Sequence, residues 1–478
     1  MKKSGLNVIV ICCDTLRADI VDHTWEDQVE LPNLDRLRAE STVFTQAYGD
    51  AYPTVPMRRG FYTGRRAYPW RHDIDDRGSV PNLLGWHAIP SEYTTLAETL
   101  SQAGVMTGLV ADLYHLFKPT MNFSRGFTSY DYIRGQETDR VRSGPLTSID
   151  LKPHLHPEEK DFKRHAGLTQ YLLNTLDRKT EEDYFAPRVF SSASRWLDNN
   201  ARQDPFMLWI ESFTPHEFWD PPKHFADRYF KAPGVVDYTY PQFFQSRFKF
   251  TSDEIRRTKA LYYGYCTFVD KWIGRFLEKL DEHKLWDNTV LIFTSDHGTE
   301  LWDHSQFGKT PKRLHAYNTR LNLLVRHPEK RFHGGTCTAL VQNTDLAPTI
   351  CQLMGIESSE AYDGHDLMPL MENKAASVRD HIIGAWSENA FVRTADYNLL
   401  IDTFDPSKQT LLYDLKKDPQ ERENVAAAHL KQVADFRSKL EALLGAPLPA
   451  KYAHQVRRDA APGMDQFIQH WEGSNLSS

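Results

Sequence analysis

The stretch Asn7-Val8-Ile9-Val10-Ile11-Cys12-Cys13-Asp14 is a continuous apolar, β-rich run that ends on a carboxylate. An unbroken run, as opposed to an alternating one, marks a strand buried on both faces of a parallel sheet. Similar runs return at Val105–Ala111, Phe206–Ile210, Val290–Thr294 and Leu321–Val325. Helical patterns lie between them: Pro32–Ala39 opened by its proline, Ser91–Ala103 before Gly104, Asp253–Leu280, and Asp345–Met354 before Gly355. This alternation predicts an α/β fold with a large, mostly parallel central sheet flanked by helices. From about residue 376 the texture changes. His381–Trp386, Ala390–Asp402 and Gln409–Leu415 read as short antiparallel strands, followed by a helix over Val425–Leu444. The expected organisation is a main domain over 1–375, a smaller C-terminal α+β subdomain over 376–447, and a tail over 448–478. The tail is either surface or an oligomerisation arm, with a homodimer and a homotetramer both open. Residues 136–170, rich in Arg, Lys and His but weakly periodic, read as an insertion over the functional site.

Composition narrows the classes. The chain has 478 residues, 40% hydrophobic and 25% charged, with 57 Lys and Arg against 64 Asp and Glu for a net charge of −7. That balance, without blocks of like charge, argues against a partner of nucleic acid. Eleven Trp, 21 Tyr and 26 Phe provide for a sizeable core. The five cysteines have neither metal-site spacing nor the look of a secreted framework, so a cytoplasmic protein with reduced thiols is expected. Lys2 and Lys3 precede an apolar stretch, but Asp14 stands where a signal peptide would have small residues. No run approaches the roughly 18 apolar residues that a membrane span needs, so no membrane partner is expected.

The chemistry-bearing residues fall at strand ends, where ligands collect in open α/β sheets. Asp14 follows the first run, His216 lies in the loop after Phe206–Ile210, and Asp296-His297-Gly298 follows the fourth. Two carboxylates and an imidazole there are suited to one divalent cation, although an Asp in such a place is commonly a helix N-cap. Thr54-Val55-Pro56-Met57-Arg58 sets a hydroxyl at a helix N-terminus, where backbone N–H groups favour an oxyanion, with Arg58 one turn on. Lys309, in a Gly-Lys-Thr turn, is placed to point back at a bound anion. Tyr114, Trp219 and the aromatics around Phe243 are pocket candidates whose ordinary use is core packing.

Taken in order, these segments resemble the sulfatase family of the alkaline phosphatase superfamily over nearly the whole chain. Asn7 to Asp19 matches the first metal-ligand segment, and Pro32 to Leu37 with Phe44, Ala47 and Tyr48 the next signature. Thr54 to Arg65 matches the segment around the nucleophile, and Ser295 to Gly298 the second metal segment. Leu412 to Leu415, Asp418-Pro419, Glu421 and Asn424 match the C-terminal signature. Arg134-Gly135-Gln136-Glu137 and Asp303-His304 with Gly308-Lys309 look most similar to the phosphonate monoester hydrolase and phosphodiesterase branch.

The resemblance implies an alkaline phosphatase-like fold and a hydrolase of small anionic esters that uses one divalent cation, Mn²⁺, Zn²⁺, Ca²⁺ or Mg²⁺. Asp14, Asp296 and His297 would ligate it together with Thr54. Arg58 and Lys309 would neutralise charge on the non-bridging oxygens, and His216 would protonate the leaving group. His304 and His115 are the candidate substrate contacts; His115 stands in Ala111–Leu116, which replaces a family segment and lacks its usual lysine.

Thr54 is the largest departure. The family converts a Cys or Ser there to formylglycine, and Thr cannot give that aldehyde, so no formylglycine is expected. A formylglycine hydrate releases sulfate as the aldehyde reforms; a Thr alkoxide lacks that exit, which favours displacement at phosphorus. The leading expectation is thus a metal-dependent phosphodiester or phosphonate-monoester hydrolase. A sulfatase without formylglycine and a catalytically silent anion-binding homologue are the alternatives.

Overall fold

The computed structural model describes residues 5–25, 29–72, 74–75, 83–118, 121–144, 149–160, 165–241, 245, 247–451 and 456–457. Phe243 and most of the tail, including 458–478, lie outside these residues.

The main sheet is built from β1 (Asn7–Cys13), β2 (Thr42–Phe44), β3 (Met106–Ala111), β4 (Ser129–Tyr132), β5 (Phe206–Ser212), β6 (Thr289–Ser295), β7 (Leu323–Arg326) and β8 (Thr336–Cys337). Its strand order is β8-β2-β7-β6-β1-β5-β3-β4. β1 pairs in parallel with β5 on one side and β6 on the other, and β3 continues the parallel set. β7 runs antiparallel to both β6 and β2. The central strand is buried at every position, as its unbroken apolar run requires.

Alternate residues of β1 feed two cores. Ile9, Ile11 and Cys13 join one cluster, and Val8, Val10 and Cys12 the other. Helices α1 (Pro32–Ala39), α2 (Thr54–Thr63), α3 (Leu96–Gln102), α4 (Phe185–Asn200), α5 (Ser252–Glu282) and α6 (Leu346–Leu353) flank the sheet. The first cluster contains the buried faces of α1, α4 and α5, the second those of α2, α3 and α6. Among the described residues no helix is long and apolar enough to cross a membrane.

Element boundaries moved where local chemistry outweighs periodicity. α3 begins at Leu96, not Ser91, because Thr95 and Glu98 form a reciprocal capping box. The run from Ala390 to Asp402 is two strands. β9 (Ile382–Trp386), β10 (Asn389–Arg393), β11 (Tyr397–Asp402) and β12 (Thr410–Asp414) form an antiparallel meander. The break falls at Thr394, whose Oγ1 accepts from the backbone N–H groups of Asp396 and Tyr397. α7 begins at Leu430 after a 3₁₀ turn over Ala426–Ala428, and runs to Leu444.

One face of the meander packs Ile383, Val392, Leu399 and Leu412 against Phe436 and Leu440 of α7. The other sends Phe391, Leu400 and Tyr413 into the core that holds α2. A buried polar knot fastens this junction. The Glu421 carboxylate accepts from Arg393, from Asn398 Nδ2 at 3.0 Å and from the backbone N–H of Ala316 at 2.8 Å. Glu421→Ala leaves Arg393 buried without its counter-charge, and should cost about 3–5 kcal/mol, read from chemical denaturation.

Candidate active site

Parallel pairing sets the site. Cys13 is in register with Ser212 on β5 and Ser295 on β6. The residues that follow therefore leave three neighbouring strands at one level. Asp14, Asp296 and His297 meet there, with their ligand atoms all within 4.8 Å of one another. Asp14 and Asp296 are fully buried.

His297 Nδ1 donates to the Gly298 carbonyl at 2.9 Å, which leaves Nε2 as a bare acceptor. That Nε2 is buried without a hydrogen-bond partner, 3.3 Å from Asp296 Oδ2 and 3.7 Å from Asp14 Oδ1. Gly298 is obligatory for this turn, since a Cβ would stand 2.0 Å from the Tyr317 carbonyl oxygen. Thr15, at a left-handed φ of 63°, braces the pair. Its hydroxyl donates to Asp14 Oδ1 at 2.6 Å and its backbone N–H to Asp296 Oδ1 at 3.0 Å. Tyr262 of α5 donates in turn to the Thr15 carbonyl at 2.7 Å.

Arg58 of α2 is the internal counter-charge. Its Nη1 donates to Asp14 Oδ2 at 3.1 Å and contacts Asp296 Oδ2, while Nε and Nη2 reach Glu211 Oε2 at 3.2 and 3.0 Å. Glu211 Oε1 accepts from Trp209 Nε1 at 2.8 Å. Three carboxylates thus surround one guanidinium, and the buried set lacks two positive charges when all three are ionised. Burial and the facing Asp296 push Asp14 well above the usual carboxylate range. Burial acts the same way on Asp296, but Arg58 and His297 outweigh it and hold this carboxyl low. Oxygen donors, an unpartnered imidazole nitrogen and a double charge deficit fit a divalent cation.

Thr54 opens α2 with φ 24°, a left-handed value rarely taken by a β-branched residue. Its carbonyl accepts from Arg58 Nη1 at 3.4 Å, so the nucleophile candidate and the carboxylates share one guanidinium nitrogen. The preceding Pro53 provides no side-chain cap, which leaves N–H groups of the first turn for another acceptor. Pro53 also lines a narrow crevice together with His297 and Lys309.

Lys309 donates to Glu217 Oε2 at 2.8 Å and lies 3.1 Å from His216 Nε2. His216 Nδ1 donates to the Glu217 carbonyl at 2.7 Å, so Nε2 accepts from the ammonium. Burial and the Lys309 charge lower the His216 pKa to about 4. Burial would raise Glu217, yet Lys309 and His216 bring it down to about 2. Both His216 and Glu217 thus face the Lys309 nitrogen.

The two candidate substrate histidines part company. His115 donates from Nε2 to Glu137 Oε2 at 3.0 Å, beside Phe213, which stacks on His216. His304 makes no such approach. Its Nε2 donates to the Glu421 carbonyl at 3.0 Å and its ring stacks on His315 at 4.4 Å, committing it to the junction with the meander. The Trp302–Ser305 turn, with left-handed φ at both ends, directs the ring there. Trp219 is core, fully buried against Tyr262.

Thr15, Glu211 and Glu217 escaped the sequence reading. A Glu inside an otherwise apolar strand, and another directly after the Pro-His pair, were the available signals.

The sulfatase family model matches residues 6–356. The chain belongs to the sulfatase family. A second model, the C-terminal region of N-sulphoglucosamine sulphohydrolase, matches residues 303–446. The chain is 25% identical to an arylsulfatase of Clostridium perfringens, with 91% of this chain and 93% of that one aligned. It is 26% identical to the multifunctional alkaline phosphatase superfamily protein PehA of Trinickia caryophylli, over 91% and 94%. The phosphonate monoester hydrolase of Agrobacterium radiobacter superposes with a TM-score of 0.69 at 20% identity, covering 92% and 95%. This family hydrolyses esters and generally depends on a divalent metal, for which the Asp14, Asp296 and His297 group is the match here.

Two outcomes follow from the geometry. Saturating Mn²⁺ or Ca²⁺ should stabilise the wild type, by about 2.7 kcal/mol at a hundredfold excess over Kd, and Asp296→Ala should abolish that gain in thermal unfolding. The second concerns pH. The unfolded chain protonates His216 near its ordinary 6.5 and the folded chain only at about 4. The unfolded state binds the extra proton between these values, so stability falls as pH drops through that window. His216→Gln should flatten the slope by at most about 1.4 kcal/mol per pH unit, measured by denaturation at pH 4 to 7.

Proposed function

We propose that the protein is a divalent-metal-dependent hydrolase of phosphodiesters or phosphonate monoesters, with the Thr54 hydroxyl as its nucleophile. The observation that carries this reading is Thr54 held in a left-handed backbone at the start of α2, joined through Arg58 to Asp14 and Asp296. A residue that cannot become an aldehyde occupies a position that the fold keeps strained.

Asp14, Asp296 and His297 would hold the cation, with Thr54 Oγ1 brought against it. When bound, the cation polarises the ester oxygen and lowers the pKa of a hydroxyl beside it. Arg58 and the first-turn N–H groups of α2 stabilise charge on Thr54 and on the non-bridging oxygens. Thr54 Oγ1, its proton released to solvent, attacks phosphorus, and the bond to the leaving oxygen breaks with its electron pair. Lys309 gives that oxygen a proton, its ammonium held by Glu217 and His216 Nε2. Water, giving one proton to the now neutral Lys309, then attacks phosphorus; the bond to Thr54 Oγ1 breaks, the phosphate or phosphonate product leaves, and Thr54 regains its proton from solvent. Phe213 and buried His115 close the same side.

The relatives named for arylsulfatase activity favour a second reading, sulfuric-ester hydrolysis from Thr54 without formylglycine. A silent anion-binding homologue is disfavoured because Asp14, Asp296, His297 and Arg58 stand in one contacting group, with Lys309 lining the same crevice as His297. A small anionic ester as substrate and a cytoplasmic location remain part of the proposal, the latter supported by five free cysteines. The net charge of −7 supports the exclusion of nucleic acid, and a homo-oligomer is left to the tail.

The test is hydrolysis of an aryl phosphodiester, an aryl phenylphosphonate and an aryl sulfate with added Mn²⁺. The phosphoryl substrates should be turned over faster than the sulfate. Thr54→Ala should lower kcat at least about a hundredfold while Thr54→Ser stays within about tenfold. Preference for sulfate would transfer the assignment to the second reading. Unchanged turnover in Thr54→Ala would remove the nucleophile from either.

A further inference from the structure

Beside Lys309 and His216 stands a carboxylate, Glu137, that the proposed reaction leaves unused. Glu137 accepts from His115 Nε2 at 3.0 Å. Burial raises its pKa, and the neighbouring His216, Lys118 and Lys309 oppose the rise. Phe213 lies between the histidines, stacked on His216 at 4.1 Å and 6.4 Å from the His115 ring. The Glu137 carboxylate therefore belongs to the side of the site where Lys309 and His216 stand.

Three observations set Glu137 apart from an ordinary ion pair. Its φ of 47° is left-handed, a strained conformation for a non-glycine residue. Its side chain keeps 23% exposure, against 4% for His115, and its Oε1 makes no hydrogen bond among the described residues. Lastly, a carboxylate only accepts, so His115 carries its proton on Nε2 and presents a lone pair at Nδ1. That Nδ1 is buried with no partner. The cluster thus presents one buried acceptor without a partner, His115 Nδ1, and beside it a part-exposed carboxylate oxygen, Glu137 Oε1, open to a donor from outside the chain.

We propose that Glu137, oriented by His115, is a specificity residue that accepts a hydrogen bond from an O–H or N–H group on the leaving half of the ester. This rests on the reading of Lys309 and His216 as the leaving-group side. Hydroxylated or aminated leaving groups are selected, and a leaving group with its own anionic substituent is repelled by the carboxylate.

The test uses 4-nitrophenyl esters of whichever acid is turned over, carrying hydroxymethyl, aminomethyl, methyl or carboxymethyl beside the ester oxygen. In the wild type either donor should exceed methyl by about tenfold or more in kcat/KM, as a hydrogen bond to a charged group allows, and carboxymethyl should be poorest. The order of hydroxymethyl and aminomethyl tells which donor the site takes. In Glu137→Leu the donor-to-methyl ratio should collapse to within about threefold, with the isosteric Glu137→Gln between. No donor preference in the wild type, or one that persists in Glu137→Leu and Glu137→Gln alike, overturns the proposal. Calorimetric titration of the metal-loaded protein with the matching benzylphosphonates and benzylsulfonates, which have no ester bond to cleave, separates this from the reaction. A donor preference in Kd that is lost in the variants upholds the subsite even where no ester is hydrolysed, and equal Kd values sink it even where the reaction is as proposed.

Discussion

The site depends on one guanidinium enclosed by three carboxylates. Arg58 bridges Glu211 on β5 to Asp14 and Asp296 at the ends of β1 and β6, all without solvent exposure. Taking such charges out of water costs several kcal/mol per ion, and mutual attraction repays that only when every lone pair and proton is satisfied. Here Trp209, Thr15 and Tyr262 complete the hydrogen bonding. The negative charge that Arg58 leaves unbalanced when all three carboxylates are ionised is the exception, and it suits the pocket to a divalent cation.

This arrangement links fold to chemistry through rigid parts. The carboxylates stand on adjacent strands of the buried sheet, and Arg58 comes from a helix packed on one face of it. Arg17, just after Asp14, is bound to Asp303 through Nη1 at 2.7 Å and to Asp19. That pairing ties the exit of β1 to the turn leading toward Lys309. Beyond it, His304 and Glu421 carry the packing into the meander. The C-terminal strands therefore support the loop that follows the metal group, which gives a physical use to residues with no place in the chemistry.

Much of this was legible from the residues alone. Unbroken apolar runs spelled the strands, although the run at Leu321–Val325 became β7, antiparallel to both its neighbours, and Asp14, Asp296 and His297 were readable because they stand at the ends of such runs. The α/β fold and the antiparallel C-terminal sheet followed from pattern. Glu211 was not legible, because a strand reading ends at the first charge and cannot tell a buried acid from a solvated one. The direction of His304 was equally hidden: closeness in sequence to Lys309 says nothing about which way a ring turns in a loop bent by left-handed Trp302 and Ser305. The sequence places His216 after its strand, but the tautomer of its ring depends on which nitrogen meets a carbonyl, and no local pattern gives that.

The sequence by itself determined which residue types stand at strand ends, and that Thr54 excludes an aldehyde. Periodicity and covalent chemistry are local properties, so one chain suffices to read them. Only the tertiary structure decided which of those residues meet. Thr15 and Asp296 are 281 positions apart and Arg58 and Asp296 are 238 apart, brought together by the register of parallel strands and the docking of α2. Charge balance, tautomer and burial all follow from those long-range contacts, and none of them is a property of any single stretch of the chain.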